Sequence, residues 1–323
     1  VRDQEGVILL REAGGYGDVI CLGAAALAIK LAHPHWRVIV YTPQPFVDTA
    51  SHLVGVDEVW SLGFLEDVRR TRRGRCDPLD PTKYPYLKSI LDRGYPVVDE
   101  YCPAFQYEAT CVGELLFNRP QVFARTGGVE DVSRACPQWR VSEDEMRCAR
   151  EWVTQRCDLG RPLIGYQPRC TCRARSLPVD LWVPLAERLS KSGNVVWFDC
   201  VVPPIEVPDG TTLCVGLPIP LVAGVVKQCK VVLTVDSLMV HLCASLGAPA
   251  VGVFGPTDGR NITRTYPSLT PLDGESTRCS LPCNYNSLKG WKKECRETGC
   301  DRMLSHSVES IANHVEKTSR VAT

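Results

Sequence analysis

The 323 residues exceed what one ordinary hydrophobic core organises and suit two α/β domains. Lysine plus arginine number 37 and aspartate plus glutamate 37, so no global field draws the chain to nucleic acid or an anionic membrane, and any such contact has to be local. Seventeen cysteines is a high but odd count, and Cys21, Cys229 and Cys243 lie in apolar segments where thiols act as small hydrophobes, which argues against a complete disulfide framework.

In chain order, VILLREAGG (Val7 to Gly15) reads as a buried strand ending in glycines. Asp18 to Leu31 has helical spacing and RVIVYT (Arg37 to Thr42) is a second strand, which together make a βαβ opening. VDEVWSL (Val56 to Leu62) is another strand, whereas the Pro-, Tyr- and Arg-rich stretch from Gly74 to Phe123 shows no clean period.

SEDEMRCAREWVTQRC begins with Ser142 and has Glu145 three residues later, a capping box that opens an amphipathic helix, and DLGRP after it reads as a linker. The second half alternates again: PLIGYQP strand, PVDLWVPLAERLSKSG helix, NVVWFDC strand, IPLVAGVVKQC helix, KVVLTV strand, and a last helix in SVESIANHVEKTSR with a serine cap. Such alternation predicts doubly wound parallel sheets. No basic stretch followed by an apolar run opens the sequence and no run reaches the ~18 apolar residues of a membrane span, so a reducing cytoplasm is the expected compartment.

In an open parallel sheet, ligands sit beyond the carboxyl ends of the strands, where helix amino termini present unpaired donors. VDSLMVHL places Asp236 and Ser237 at such a point, and the next strand, AVGVF, runs into GPTD, so Pro256 and Thr257 reach the same crevice if the two strands are neighbours. A phosphate-bearing ligand suits that crevice. The plainer alternative makes Asp236 and Ser237 helix caps and His241 a packed helix residue.

Lys230 to Asp258, with its VDSLMVHL and VFGPTD segments, resembles the nucleotide-sugar site of glycosyltransferase family 9, the ADP-heptose:lipopolysaccharide heptosyltransferases, whose pattern is Asp-Ser/Thr-Gly-x-x-His followed by Phe-Gly-Pro-Thr. REAGGYGDVICLGAAALAIKLAHP is similar to that family's Gly-Asp-Val loop, here Gly17, Asp18 and Val19, and the resemblance implies that Asp18 is the catalytic aspartate. RARSLPVDLW resembles the family's Lys-x-Trp-Pro-x-x-x-Trp segment, which aligns Arg175 with a lysine that contacts donor phosphate.

The resemblance implies a GT-B architecture: two Rossmann-like domains, doubly wound with parallel sheets, around a cleft. It also implies a metal-independent, inverting, single-displacement transfer of a sugar, with heptose the first guess, from a nucleoside-diphosphate sugar to an acceptor hydroxyl. Residues 1–158 are then the acceptor-binding domain, 159–305 the nucleotide-sugar domain, and 306–323 a terminal helix crossing back to the first. The chemistry stands without the name. A sugar hydroxyl is a poor nucleophile and needs a carboxylate to take its proton, while the departing diphosphate gathers negative charge that a guanidinium and helix-terminal amides stabilise. Asp18 supplies the first, and Arg175 with the backbone at Ser237 and Leu238 the second.

Some residues depart from the family pattern. Leu238 stands where glycine is usual, and the Pro-rich segment from Cys200 to Gly216 is short where a longer helical segment is common, with Glu206 left to reach a ribose. Cys170 and Thr171 fall where hydroxyl residues lie near the phosphates; Thr171 keeps that group.

Cys279, Cys283, Cys295 and Cys300 form two pairs in a loop spanning 279–300. They suit a structural zinc or iron, reduced thiols or a local disulfide equally by composition, with free thiols the default and no cofactor required for catalysis. Arg69, Arg70, Arg72, Arg73 and Arg75 in VRRTRRGRC are either a solvated loop or a grip on an anionic glycan or glycolipid acceptor, which would bring the protein to the inner face of a membrane. Two other functions fit the fold: a sugar-nucleotide epimerase, and a non-enzymatic module that binds a glycan, a nucleotide or a partner.

Overall fold

The structure, a computed structural model, describes residues 5–11, 14–63, 82, 86–99, 107, 115–279, 282–283, 295 and 299–321. The chain divides into two compact units, Val1–Arg140 and Val141–Thr323.

In the first unit, strands β1 (Gly6–Leu10), β2 (Arg37–Thr42), β3 (Glu58–Ser61) and β4 (Val97–Asp99) form a parallel sheet in the order β3-β2-β1-β4. GVILL is buried at every position, as a strand covered on both faces must be. Helix α1 (Tyr16–Ala32) connects β1 to β2 and buries Val19, Ile20, Leu22, Ala25 and Ile29, while its alanines let helix α2 (Arg119–Thr126) pack closely against it. A reciprocal cap starts α2: Asn118 Oδ1 accepts from Gln121 N and Gln121 Oε1 accepts from Asn118 N, both at 3.0 Å.

The second unit is a six-stranded parallel sheet in the order β10-β9-β8-β5-β6-β7. Its strands are β5 (Leu163–Gln167), β6 (Asn194–Asp199), β7 (Thr211–Val215), β8 (Cys229–Val235), β9 (Ala250–Phe254) and β10 (Leu269–Asp273). The helices are α3 (Glu143–Thr154), α4 (Val179–Ser190), α5 (Ile219–Val226), α6 (Leu238–Leu246) and α7 (Val308–Val321). Ser142 and Glu145 form the expected capping box, with Ser142 N donating to Glu145 Oε2 at 2.7 Å and Glu145 N to Ser142 Oγ at 3.2 Å. Strand β7, inside the Pro-rich segment, is an element the sequence pattern does not announce.

The first unit ends at Arg140 rather than 158, because α3 packs on α5 and so belongs with the second. Gly224 of α5 makes that contact close: a Cβ there would lie 2.6 Å from the Ala149 Cβ of α3. The terminal helix α7 packs against α4, β8, β9 and β10. Ile311, Ala312 and Val315 are at most 1% exposed in that core, and burying an Ile or Val side chain contributes roughly 1.5–3 kcal/mol. Arg188 on α4 adds an ion pair to Glu316 at 2.6 Å.

Each sheet has one place where successive connections leave in opposite directions: between β1 and β4 in the first unit, and between β5 and β8 in the second. At such a point two loops diverge and leave a crevice at the carboxyl ends of the strands.

Candidate functional site

Beyond β1, at the first of these points, the chain enters α1 through Gly14 and Gly15. Gly14 has φ +101°, and a Cβ there would collide with the side chains of Arg11 and Asp18, so only glycine fits. Asp18 is the third residue of α1, and its Oδ2 accepts from Gly15 N at 2.7 Å, closing the first turn. The same oxygen lies 3.2 Å from Arg11 Nη2, and Oδ1 is paired with Arg119 Nη1. Both carboxylate oxygens are therefore held by cations.

The two cations differ. Arg11 has a side chain 3% exposed, with its guanidinium 5.5 Å from the centre of the buried Phe123 ring, whereas Arg119 is 24% exposed. Arg119 opens α2, where the helix dipole disfavours a positive charge, and its pairing with Asp18 compensates. Sequence reasoning finds neither arginine as a site residue. Gly17 is half-buried in the same first turn of α1.

In the second unit, Gln167 ends β5 and is in register with Thr234 of β8. Gln167 Oε1 accepts from Ser237 Oγ at 2.5 Å and from Thr234 Oγ1 at 2.8 Å, and Ser237 Oγ caps α6 by accepting from Met239 N at 3.1 Å. Leu238, half-buried, is the first residue of α6.

Asp236, with a side chain 2% exposed, accepts from Thr257 Oγ1 at 2.9 Å and lies 3.6 Å from Arg175 Nη1. Asp236, Pro256 and Thr257 are thus brought together as expected, but all three are buried. Of the three, Asp236 faces Arg175, whose side chain is 22% exposed.

A chain of hydrogen bonds fixes the segment that carries Arg175. Tyr166 OH donates to Trp182 O and Trp182 Nε1 to Leu177 O, both at 2.9 Å, while Leu177 N donates to Pro168 O at 2.9 Å. Cys170 N donates to Ser176 Oγ at 3.1 Å, and burial pushes the Cys170 thiol up from its ordinary pKa, with the nearby Arg175 acting the other way. His241 Nδ1 is 2.8 Å from the hydroxyl of the buried Tyr266. Thr171 and Glu206 are exposed.

Arg69, Arg70, Arg72, Arg73 and Arg75 lie outside the described residues. Cys279, Cys283 and Cys295 are half-buried and Cys300 is buried. Among the described residues no group of three or more His, Cys, Asp or Glu side chains is arranged to hold a metal ion. No helix among them is long and apolar enough to cross a membrane.

The structure is similar to that of a family 9 glycosyl transferase from Veillonella parvula (16% identity, 99% of this chain and 98% of that one, TM-score 0.69). It is also similar to the E. coli ADP-heptose LPS heptosyltransferase II (15% identity, 98% and 99%, TM-score 0.69) and to E. coli heptosyltransferase WaaC with ADP (14% identity, 97% and 99%, TM-score 0.60). At these identities the likeness establishes the fold, which is GT-B. A comparison with curated proteins finds no match. The sequence description of glycosyltransferase family 9 (heptosyltransferase) matches residues 119–300, more than half of the chain. By that match across more than half of its length, the chain belongs to glycosyltransferase family 9 and is a glycosyltransferase.

Proposed function

We propose that the protein moves a sugar from a nucleoside-diphosphate donor to a hydroxyl of an anionic glycan or glycolipid, inverting the anomeric centre, with ADP-heptose and a lipopolysaccharide-type acceptor as the first pair to test. The observation that carries this reading is the buried Asp236 carboxylate holding Arg175 at the carboxyl end of the second sheet, since an anchored, partly exposed guanidinium there suits a diphosphate. Support for the substrates comes from the solved neighbours, one an ADP-heptose LPS heptosyltransferase and one holding ADP.

In the step proposed, the acceptor oxygen attacks the anomeric carbon as Asp18 takes its proton. The bond from that carbon to the diphosphate oxygen breaks, and its electron pair leaves with the nucleoside diphosphate. Arg175 and the amide at Leu238 meet the charge that develops, so the transfer draws on side-chain and backbone donors rather than on a cofactor. One displacement gives inversion. Asp18 is positioned by Gly15 N and Arg11, and Arg119, more exposed than Arg11, pairs with its other oxygen on the side proposed to meet an acidic acceptor.

The reading is tested by incubating the protein with ADP-heptose and a deacylated lipopolysaccharide core, then following ADP release and the anomeric configuration of the product by NMR. Acceptor-dependent ADP release with an inverted linkage supports it. An epimerised donor formed without acceptor, or no turnover with any nucleotide sugar, sinks it.

A further inference from the structure

Gln167 carries a relationship that the proposed chemistry has not used. Its amide oxygen accepts two hydroxyl groups, Ser237 Oγ at 2.5 Å and Thr234 Oγ1 at 2.8 Å. A carbonyl oxygen has two acceptor positions, so that end of the amide is filled.

The other end is different. Among the described residues Gln167 Nε2 has no hydrogen-bond partner, and it is not one of their fully buried unpartnered polar atoms, so its N–H donors keep access to solvent. They do so from the last residue of β5, a strand at the centre of the sheet, on the side where β5 and β8 meet at the switch point.

We propose that Gln167 binds the donor diphosphate directly, through Nε2, beside Arg175. The inference rests on the reading of the second unit as the nucleotide-sugar half and adds a ligand to it. The amide is anchored at its oxygen, so little rotamer freedom is lost when a phosphate oxygen arrives. An anion at the open end selects this orientation, because the reverse would aim a carbonyl oxygen at it. The proton of Ser237 is committed to Gln167 and its oxygen to Met239 N, so the amide, and not the serine hydroxyl, supplies the side-chain donor at this place.

The test uses the full chain and the member of ADP, GDP, UDP, TDP and CDP that stabilises the wild type most, with its parent nucleoside as the control, both titrated by calorimetry. Gln167→Met keeps the shape and removes the donors, and diphosphate affinity is expected to fall about tenfold with nucleoside affinity unchanged. Gln167→Glu points a carboxylate at the phosphates and costs more; being nearly isosteric, it carries the test if the methionine variant does not fold. A Ser237→Ala background separates direct contact from positioning: the loss caused by Gln167→Met persists there if the amide touches the ligand. Wild-type diphosphate affinity in both Gln167 variants, or a loss that disappears in the Ser237→Ala background, overturns the proposal while leaving the nucleotide reading intact. A wild type that binds none of the five diphosphates overturns that reading and this one together.

Discussion

Arg175 Nη1 lies 3.6 Å from Asp236 Oδ2, and the aspartate side chain is 2% exposed where the arginine side chain is 22% exposed. The more exposed charge is thus held by a buried one. Arg175→Ala is expected to weaken nucleoside-diphosphate binding about 10- to 100-fold, because the lost hydrogen bonds are charge-assisted. Asp236→Asn keeps an acceptor for Thr257 but loosens the guanidinium, and should cost less than Arg175→Ala. The double variant should be no worse than Arg175→Ala alone, since the aspartate acts through the arginine. Calorimetric titration of the three variants decides it; an Asp236→Asn effect that adds in full to that of Arg175→Ala contradicts the coupling.

Asp18→Asn removes the proton acceptor and keeps the shape. Turnover is expected to drop about 10²- to 10⁴-fold with donor affinity unchanged, which steady-state kinetics and a binding titration would read separately. Undiminished turnover removes Asp18 from the mechanism.

Arg11 and Arg119 pair with the same carboxylate but separate by burial. Arg11→Met removes from Asp18 a cation whose side chain is 3% exposed, so the fold should lose about 3 kcal/mol in urea unfolding, as when one partner of a buried pair is removed. Arg119→Met, at the more exposed end, should change stability less and acceptor KM more. Equal stability losses would refute the division of roles.

Much of the architecture was legible because parallel strands buried on both faces read as apolar runs, as KVVLTV and AVGVF do. The Ser142 and Glu145 box was visible because capping is local. What depends on distant packing was not. Strand β7 is an edge strand, half-buried at most of its positions and set among prolines, so no apolar run marks it. The helix Val308–Val321 shows its apolar face in the sequence but not the surface that receives it.

The same distinction governs the site. Asp18, Arg175 and Asp236 stood out through their motifs. Arg119 lies 101 residues from Asp18, and Gln167 lies 70 from Ser237, so no local pattern links either pair. Asp236 was correctly placed at the strand end, yet its burial beneath Arg175 is a property of the packed structure.

A pH dependence follows from two groups near the carboxyl ends of β9 and β10. His306, whose Nε2 is 3.1 Å from Phe254 O, has its pKa lowered from 6.5 by burial. Asp273, whose Oδ1 accepts from Gly259 N at 2.7 Å, has its pKa raised from 3.8 by burial. For His306 the unfolded chain binds the proton more readily, so its contribution is full above the unfolded value of 6.5 and is lost as pH falls below it. For Asp273 the folded chain binds the proton more readily, so its contribution is present below 3.8 and lost as pH rises through the raised folded value. Between pH 7 and 5 the histidine effect predicts a falling Tm, and His306→Gln should flatten that slope. An unchanged slope in the variant would exclude His306 as its source.

The central claim, that the second unit holds a nucleoside diphosphate on Arg175, is tested most directly by thermal stabilisation with ADP, GDP, UDP, TDP and CDP. A ligand bound only by the folded state must raise Tm. At least one of the five is expected to stabilise the wild type, ADP foremost, and Arg175→Ala to remove most of the shift. No shift with any of the five, or an equal shift in Arg175→Ala, would contradict it.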